Sequence, residues 1–164
     1  MTGPPVKAGV LTVSDSRGKD DDVSGDTLEE LLLADGFEVM RRLVPDDLER
    51  VAHAIIDLAQ DNNLVLTTGG TGLGARDVTP EATRSVLERE APGIAEAIRA
   101  DSIAKTPHGL LSRGVAGTVG GTLVVNLAGS PGACRDGYAV LRRALPHALT
   151  LLADQTTATD HVHT

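Results

Sequence analysis

The segment of the sequence best suited to chemistry is glycine-rich: Thr67-Thr-Gly-Gly-Thr-Gly-Leu-Gly74. Glycines let a backbone turn tightly and approach a ligand, so that successive N–H groups can point at phosphate oxygens. The threonines add hydroxyl donors. A turn without a ligand is the alternative, but the segment follows a predicted core strand, a position where α/β proteins bind ligands. We therefore interpret this stretch as a phosphate site formed by Thr68, Gly69, Gly70, Thr71 and Gly72.

Two familiar phosphate motifs do not fit this segment. A P-loop requires a Lys-Ser or Lys-Thr pair after the glycines, and none follows here. The dinucleotide fingerprint is matched only loosely by Gly70, Gly72 and Ala75. The next predicted helix begins late, at Pro80, and no strand ending in an acidic residue follows at the required distance. A dinucleotide-dependent dehydrogenase is therefore not favoured.

Charged residues near the glycines provide two candidate carboxylates and a cation. In Ala75-Arg-Asp-Val-Thr-Pro80, Arg76 could pair with a phosphate, and Asp77 could hold Mg²⁺ or orient a reacting group. A surface ion pair is the alternative for both. Asp46 is the other carboxylate, but Asp46-Asp-Leu-Glu49 also has the form of a helix capping box. The residues alone leave Asp46 assignable equally as an N-cap or as a catalyst.

Two later segments add polar groups that could complete a pocket. Ser112-Arg113 lies in a glycine-rich loop and supplies a hydroxyl and a cation. Asn126-Leu-Ala-Gly-Ser-Pro131 joins a predicted strand to a helix N-terminus, where anions bind readily. Ser130 does not lie in a nucleophile elbow, because Ala128 stands where G-x-S-x-G requires glycine. A serine hydrolase is therefore not indicated.

The elements that position these segments alternate between strands and helices. Apolar runs predict strands at 7–14, 37–44, 64–66 and 123–127, with a short hairpin as one interpretation of 110–120. Such alternation predicts an α/β fold: a three-layer sandwich with a mostly parallel central sheet and helices on both faces. The loops after Val13, Val44, Leu66 and Leu127 would then meet at the carboxyl edge of the sheet, where ligands bind.

Capping patterns predict where the helices begin. The predicted starts are capping boxes at Asp26-Thr-Leu-Glu29 and Asp46-Asp-Leu-Glu49, an N-cap at Thr79 followed by Pro80 at N1, and prolines at Pro92 and Pro131. The helix after Thr79 is expected to run to about Glu90. The last helix is expected to continue through Leu149 with a bend at Pro146.

Composition sets outer limits on the function. The 164 residues predict one domain, residues 1–164, with a flexible tail from about residue 155. A net charge of −8 without a basic block argues against nucleic-acid binding. No apolar run reaches eighteen residues and the N-terminal stretch lacks a secretory signal, so neither a membrane span nor secretion is expected. The single cysteine, Cys134, is interpreted as a helical residue that faces the core. Because one cysteine cannot form an internal disulfide, we expect the protein in the reducing cytoplasm.

Taken together, six segments resemble the MogA/MoaB family of molybdenum cofactor biosynthesis proteins, whose domain also occurs in gephyrin. In family order they are Val13-Ser-Asp15, Val44-Pro-Asp46, Thr67-Thr-Gly-Gly-Thr-Gly72, Arg76-Asp-Val-Thr-Pro80, Leu111-Ser-Arg113 and Asn126-Leu-Ala-Gly-Ser-Pro131. Each is short, but the ordered set spans nearly the whole chain and is specific. Ala128 departs from the proline that members commonly carry; the turn is expected to survive, with a modest effect on affinity.

The resemblance implies Mg²⁺-dependent adenylylation. The terminal phosphate of molybdopterin would attack the α-phosphorus of ATP, giving molybdopterin adenylate and pyrophosphate. Asp46 and Asp77 would be the essential carboxylates and the Mg²⁺ ligands. The implied substrate-binding residues are Ser14, Asp15, Thr68, Gly69, Gly70, Thr71, Gly72, Arg76, Ser112, Arg113, Asn126, Gly129 and Ser130. The resemblance also implies a homotrimer, in some members a dimer of trimers, that works with other cofactor biosynthesis proteins.

Two other functions remain open from the sequence. One is a non-catalytic molybdopterin carrier or scaffold, which would bind the pterin without releasing pyrophosphate from ATP. The other is an enzyme that uses the same fold on a different phosphorylated nucleotide, against which the segment 76–80 argues. The presence of both Asp46 and Asp77 favours the active adenylyltransferase.

Overall fold

A six-stranded sheet with helices on both faces forms the described part of the chain. The computed structural model describes residues 4–160, and their side chains as far as residue 155. The strands are β1 (Lys7–Val13), β2 (Glu38–Val44), β3 (Leu64–Thr68), β4 (Arg89–Glu90), β5 (Ala116–Val119) and β6 (Thr122–Leu127). The α-helices are α1 (Val23–Ala34), α2 (Leu48–Asp61), α3 (Thr79–Val86), α4 (Pro92–Lys105), α5 (Pro131–Arg142) and α6 (Leu145–Asp160), and 3₁₀ helices span Lys19–Asp21 and Pro107–Leu111.

The sheet is mostly parallel and has the strand order β2-β1-β3-β6-β5-β4. The first four of these strands run parallel, whereas β5 forms an antiparallel hairpin with β6 and pairs with β4 on its other side. The parallel strands also end in register: Val13 pairs with Val44, and Thr68 pairs with Thr12 and Leu127. The loops after these four strands therefore leave the sheet along one edge.

Alternate residues of the central strands feed two separate aliphatic cores. In β3, Leu64 and Leu66 pack with apolar residues of α1, α4, α5 and α6. Val65, between them, packs with apolar residues of α2 and α3 on the opposite face. Each fully buried side chain of this kind contributes roughly 2 kcal/mol to stability. The predicted three-layer fold is confirmed, and Cys134 is fully buried, as predicted. The hairpin considered within 110–120 is wrong in its bounds: residues 107–111 form a 3₁₀ helix, and β5 pairs with β6, the strand predicted separately at 123–127.

The first two helices begin at residues other than those predicted. The N-cap of α1 is Asp22, whose carboxylate accepts the N–H of Gly25 at 3.0 Å; Asp26 already lies within the helix. Asp22 is selected by tertiary contact, because the Thr12 hydroxyl donates to it at 2.6 Å. The N-cap of α2 is Asp47, which accepts the N–H of Arg50 at 3.0 Å. The prediction that Asp46 caps this helix is therefore wrong.

Two predictions for later helices also fail. Thr79 is the first residue of α3 and not its N-cap, because its hydroxyl donates to the carbonyl of Gly69 instead. That helix stops at Val86, and β4 forms where the helix was expected to continue, since this stretch bonds to β5. The helix predicted through Leu149 is two helices. Pro146 has no N–H to continue the helical bonding, and it lies in the first turn of α6.

The predicted flexible tail lies partly outside the described residues. The described part of it, up to Asp160, continues α6. No described helix has the length and apolar character needed to cross a membrane.

Asp35, at the carboxyl end of α1, ties this helix to α5. Its carboxylate accepts the Tyr138 hydroxyl at 2.6 Å and two N–H groups of Arg142 at 2.8 Å each. The Tyr138 hydrogen bond, helped by Arg142, holds the pKa of Asp35 below its usual value. Ionised Asp35 therefore stabilises the folded chain at neutral pH, and this contribution is lost as the pH falls through the lowered pKa.

We expect Asp35→Asn to lower the free energy of unfolding by about 1 kcal/mol at pH 7, because partial exposure weakens these charged contacts. The difference from the wild type should shrink below about pH 4, where the Asp35 carboxyl of the unfolded wild-type chain begins to bind a proton. Urea unfolding at several pH values measures both. Asp101→Asn, which removes a helical surface pair with Lys105, serves as the control. A destabilisation that stays constant down to the acid limit would contradict the ionic role of Asp35.

Candidate active site

The carboxyl edge of β3 opens into the glycine cradle, defined here as residues Thr68–Gly72. Gly69 and Gly70 have φ angles of +101° and +67°, which L side chains rarely adopt. A Cβ on Gly69 would also overlap the carbonyl oxygen of Val13, at the end of β1. Gly129, after β6, approaches the same residue so closely that its own Cβ would lie 3.3 Å from the Gly69 Cα. Three strand ends therefore converge where only glycine fits.

The far side of the cradle is fixed by α3. The Thr79 hydroxyl donates to the carbonyl of Gly69 at 2.9 Å, and the Thr79 N–H donates to the carbonyl of Gly70 at 3.1 Å. Thr68 donates its hydroxyl to the carbonyl of Ala128 at 2.9 Å, which joins the cradle to the loop after β6. The two Thr79 bonds occupy carbonyl groups of the cradle, and together with the Thr68 bond they hold its backbone in one conformation.

Replacing Gly69 with alanine should therefore destabilise the fold by about 1–3 kcal/mol, because the backbone conformation is strained for any residue with a Cβ. Thermal unfolding measures this loss. Gly93→Ala is the matched control: Gly93 lies in α4, a Cβ added there would meet no atom within 4 Å, and alanine favours a helix at that position. Equal unfolding temperatures for the Gly69→Ala variant and the wild type would show that the cradle is not constrained as described.

Asp46 lies beside the cradle and is free of the capping role. Its carboxylate accepts the Asp15 N–H at 2.9 Å, and Asp15 in turn accepts the Asp46 N–H at 2.9 Å. One Asp46 oxygen lies 3.2 Å from the position that a Cβ on Gly70 would take. Burial, and then the negative charges of Asp15 and Asp77, raise the pKa of Asp46. The site therefore concentrates negative charge around this carboxylate.

Asp77 lies on the outgoing side of the cradle. Its carboxylate accepts the Gly74 N–H at 2.9 Å, and its own N–H donates to the Gly74 carbonyl at 3.0 Å. A Cβ on Gly72 would lie 3.0 Å from the same carboxylate oxygen. The structure thus places both predicted carboxylates against the glycine cradle, one at Gly70 and the other at Gly72.

Arg76 forms the ion pair that the sequence left as an alternative, with Asp15 as its partner. Its Nε donates to Asp15 at 2.5 Å, and an Nη2 bond of 3.1 Å reaches the carbonyl of Asp46. The Arg76 hydrogen bond holds the pKa of Asp15 below its usual range. Arg76 is 68% exposed, so its guanidinium stays open to solvent at the rim of the site.

Arg113 approaches the cradle but donates its side chain to the protein. Its Nε and Nη2 reach the carbonyls of Gly72 and Asp77, each at 2.8 Å, and Nη1 donates to Glu81. Arg99 of α4 holds the neighbouring loop through the carbonyls on either side of Arg113. Sequence reasoning missed both Glu81 and Arg99, since nothing local to either residue indicates these partners.

Four other predicted residues lie in the core or in the loops around the cradle. Asn126 is buried and uses both amide N–H donors within the core, on Thr67 at 2.9 Å and on Thr83 at 3.0 Å. Ser130 is exposed and caps α5 by accepting the Ala133 N–H at 3.2 Å. Its neighbour Gly129 and the half-buried Ser14 lie in the loops that meet the cradle. Asn126 thus supports the site from the core, whereas the others lie at its edge.

A preformed cation cage is not found among residues 4–155, whose His, Cys, Asp and Glu side chains form no group of three or more that could hold a metal. Mg²⁺ is nevertheless commonly bound through one or two carboxylates together with substrate phosphates. Asp46 and Asp77 offer such oxygen donors. Burial, followed by the negative charges of Asp15 and Asp77, raises the pKa of Asp46, and a nearby cation would offset both effects. The residues therefore fit a cation brought with a phosphate substrate.

Fold and site together define a three-layer α/β protein with a glycine cradle and two flanking carboxylates at the carboxyl edge of its sheet. Residues 9–147 match the family described as probable molybdopterin binding domain. The chain belongs to this MogA/MoaB family of molybdenum cofactor biosynthesis proteins.

Individual relatives agree with this assignment. The chain is 34% identical over 154 residues to molybdopterin adenylyltransferase of Helicobacter pylori, and the aligned region covers 90% of this chain and 88% of that protein. It is 38% identical over 163 residues to the molybdenum cofactor synthesis protein cinnamon of Drosophila melanogaster, and spans 27% of that longer protein. The crystal structure of MoaB from Thermus thermophilus superposes with a TM-score of 0.82 at 45% identity, covering 90% of this chain and 96% of that one.

Proposed function

We propose that this protein is a molybdopterin adenylyltransferase that uses ATP and Mg²⁺. The observation that carries the proposal is the placement of Asp46 and Asp77 against the glycine cradle, at Gly70 and Gly72. The name of the Helicobacter pylori relative supports the same reaction.

In this reaction an oxygen of the terminal phosphate of molybdopterin attacks the α-phosphorus of ATP. The bond from that phosphorus to the oxygen bridging to the β-phosphorus breaks, and pyrophosphate leaves. Transfers of this kind depend on positioning and charge neutralisation more than on a covalent catalyst. The arrangement suits that need, because glycines expose backbone N–H groups to a phosphate while carboxylates stand beside it.

Each residue's proposed role follows from its position in the site. Backbone N–H groups of the glycine cradle would hold the pterin phosphate, and Arg76 would reach a phosphate from the rim. Mg²⁺ held by Asp46 and Asp77 would neutralise phosphate charge when bound. The pocket would be completed at its edges by Ser14, Asp15, Ser112, Gly129 and Ser130.

Pyrophosphate release tests the proposed reaction against the carrier function. Purified protein would be incubated with ATP and Mg²⁺, with and without molybdopterin. Release that requires molybdopterin supports the enzyme. Tight molybdopterin binding without pyrophosphate release would contradict the enzyme and support the carrier function. If the protein neither binds molybdopterin nor releases pyrophosphate, the substrate assignment is rejected.

We also propose that the chain works as a homotrimer. Leu110 and Leu111, in the 3₁₀ helix just before Ser112, are 66% and 48% exposed, and such apolar surface is typical of interfaces. Sedimentation velocity should show a species of three times the 17.0 kDa chain mass. A single-chain mass at micromolar concentration would contradict the trimer.

A further inference from the structure

Arg113 braces the segment between the glycine cradle and Asp77. Its guanidinium binds the carbonyl of Gly72 at one end of this segment and the carbonyl of Asp77 at the other, each at 2.8 Å. Its backbone N–H donates to the carbonyl of Thr71, also at 2.8 Å. One residue that is distant in sequence therefore holds both ends of a six-residue stretch.

The position of the Asp77 carboxylate depends on this stretch. The Gly74 N–H holds the carboxylate at 2.9 Å from within the segment. Cβ atoms on Gly72 and Gly74 would lie 3.0 Å and 2.9 Å from the same oxygen, so the carboxylate rests directly against these two glycines. A shift of the backbone at either end would therefore move the carboxylate.

Glu81 holds the third arm of Arg113. This residue lies in the first turn of α3, and its carboxylate accepts Nη1 of Arg113. Since α3 also anchors the cradle through Thr79, the Glu81 contact joins Arg113 to the same rigid element. Arg99 fixes the other side by donating to the carbonyls of Ser112 at 3.0 Å and Gly114 at 2.8 Å.

Without Glu81 the guanidinium would lose its only charged partner among the described side chains, close to a site suited to phosphates. Arg113 would then no longer be tied to α3, so its guanidinium would leave the two carbonyls more often, whether or not a substrate is bound. The acidic partner therefore does more than add a surface ion pair.

We propose that Glu81 is a positioning residue that keeps Arg113 on the carbonyls of Gly72 and Asp77 and thereby sets the Asp77 carboxylate. The consequence for catalysis rests on the proposed adenylyl transfer. The consequence for the backbone does not, and it can be measured without substrates.

The kinetic test compares Glu81→Ala with Glu49→Ala, which removes the same charge from the first turn of α2, where Glu49 is exposed. We expect Glu81→Ala to lower kcat by about 10- to 100-fold, because a small misplacement of a reacting group has effects of this size. The KM for ATP should stay within about 2-fold, and Glu81→Gln, which keeps an acceptor oxygen, should recover part of kcat. Glu49→Ala should match the wild type. An unchanged kcat, or a raised KM with wild-type kcat, would overturn the positioning role.

Hydrogen exchange supplies the second readout on substrate-free protein. The peptide that covers residues 72–78 should exchange faster in Glu81→Ala and in Arg113→Lys, since lysine cannot bridge two carbonyls and a carboxylate. The same peptide should be unchanged in Glu49→Ala. If the variants exchange faster but the wild-type protein forms no adenylate, the bracing role of Arg113 and Glu81 stands and only the proposed reaction is rejected. Unchanged exchange in both variants would reject the brace itself.

Discussion

Replacing Asp77 with asparagine is expected to lower the rate of molybdopterin adenylate formation by roughly 10²- to 10³-fold, the usual cost of removing one preorganised electrostatic group. Thermal stability should stay at the wild-type value. Asparagine keeps an oxygen that can accept the Gly74 N–H, so the local backbone has its bond and only the charge is lost. Steady-state rates together with thermal unfolding measure the two effects separately.

Asp57→Asn is the matched control for this prediction. It makes the same chemical change at an exposed helical position, where Asp57 pairs with Arg42 away from the glycine cradle. We expect wild-type rates from it. Normal turnover by Asp77→Asn would show that this carboxylate has no part in the reaction.

The second large effect is expected at Asp46. Asp46→Asn should lower activity by roughly 10²-fold or more, since the substitution removes the other carboxylate beside the cradle. Stability should not fall. The fold raises the pKa of Asp46, so its ionised form is disfavoured in the folded chain, and a neutral side chain removes repulsion from Asp15 and Asp77. The asparagine oxygen can still accept the Asp15 N–H.

The neighbouring residue provides the contrast. Asp47→Ala removes the N-cap of α2 and should destabilise the chain by about 1 kcal/mol while most activity is kept. Unfolding and rate measurements on both variants therefore separate the two roles that the sequence left open for Asp46. A destabilised but fully active Asp46→Asn variant would assign this residue to structure alone.

The fold was predictable because its main signals are local. Apolar runs such as Leu64–Leu66 mark strands that are buried on both faces, and alternation with helices leads to a parallel sheet. Helix starts were harder to predict, because the sequence offers more than one aspartate near each start and any of them could serve as the cap. The choice of Asp22 over Asp26 depends on the Thr12 hydroxyl, and the choice of Asp47 over Asp46 depends on the Asp15 N–H.

The candidate site divides in the same way. The glycine cradle could be predicted from residue type alone, because glycine readily adopts the positive φ angles found at Gly69 and Gly70. The charged partners could not. Arg76 meets Asp15 across 61 residues, and Arg113 meets Glu81 across 32, so these pairs exist only after the sheet has aligned its loops.

Asn126 illustrates the same limit for a single residue. It begins the segment that joins a predicted strand to a helix N-terminus, and the family resemblance implied a ligand contact, yet its amide donates to Thr67 of β3 and Thr83 of α3. Which face of a buried strand an amide occupies depends on the partners that the neighbouring elements supply.

The most direct measurement is mass spectrometry of the product formed from molybdopterin, ATP and Mg²⁺ by the purified protein. We expect molybdopterin carrying one added adenylate on its phosphate, formed by the wild type and formed roughly 10²- to 10³-fold more slowly by Asp77→Asn. Unmodified molybdopterin recovered from wild-type protein that binds both substrates would contradict the assignment of this site to adenylyl transfer.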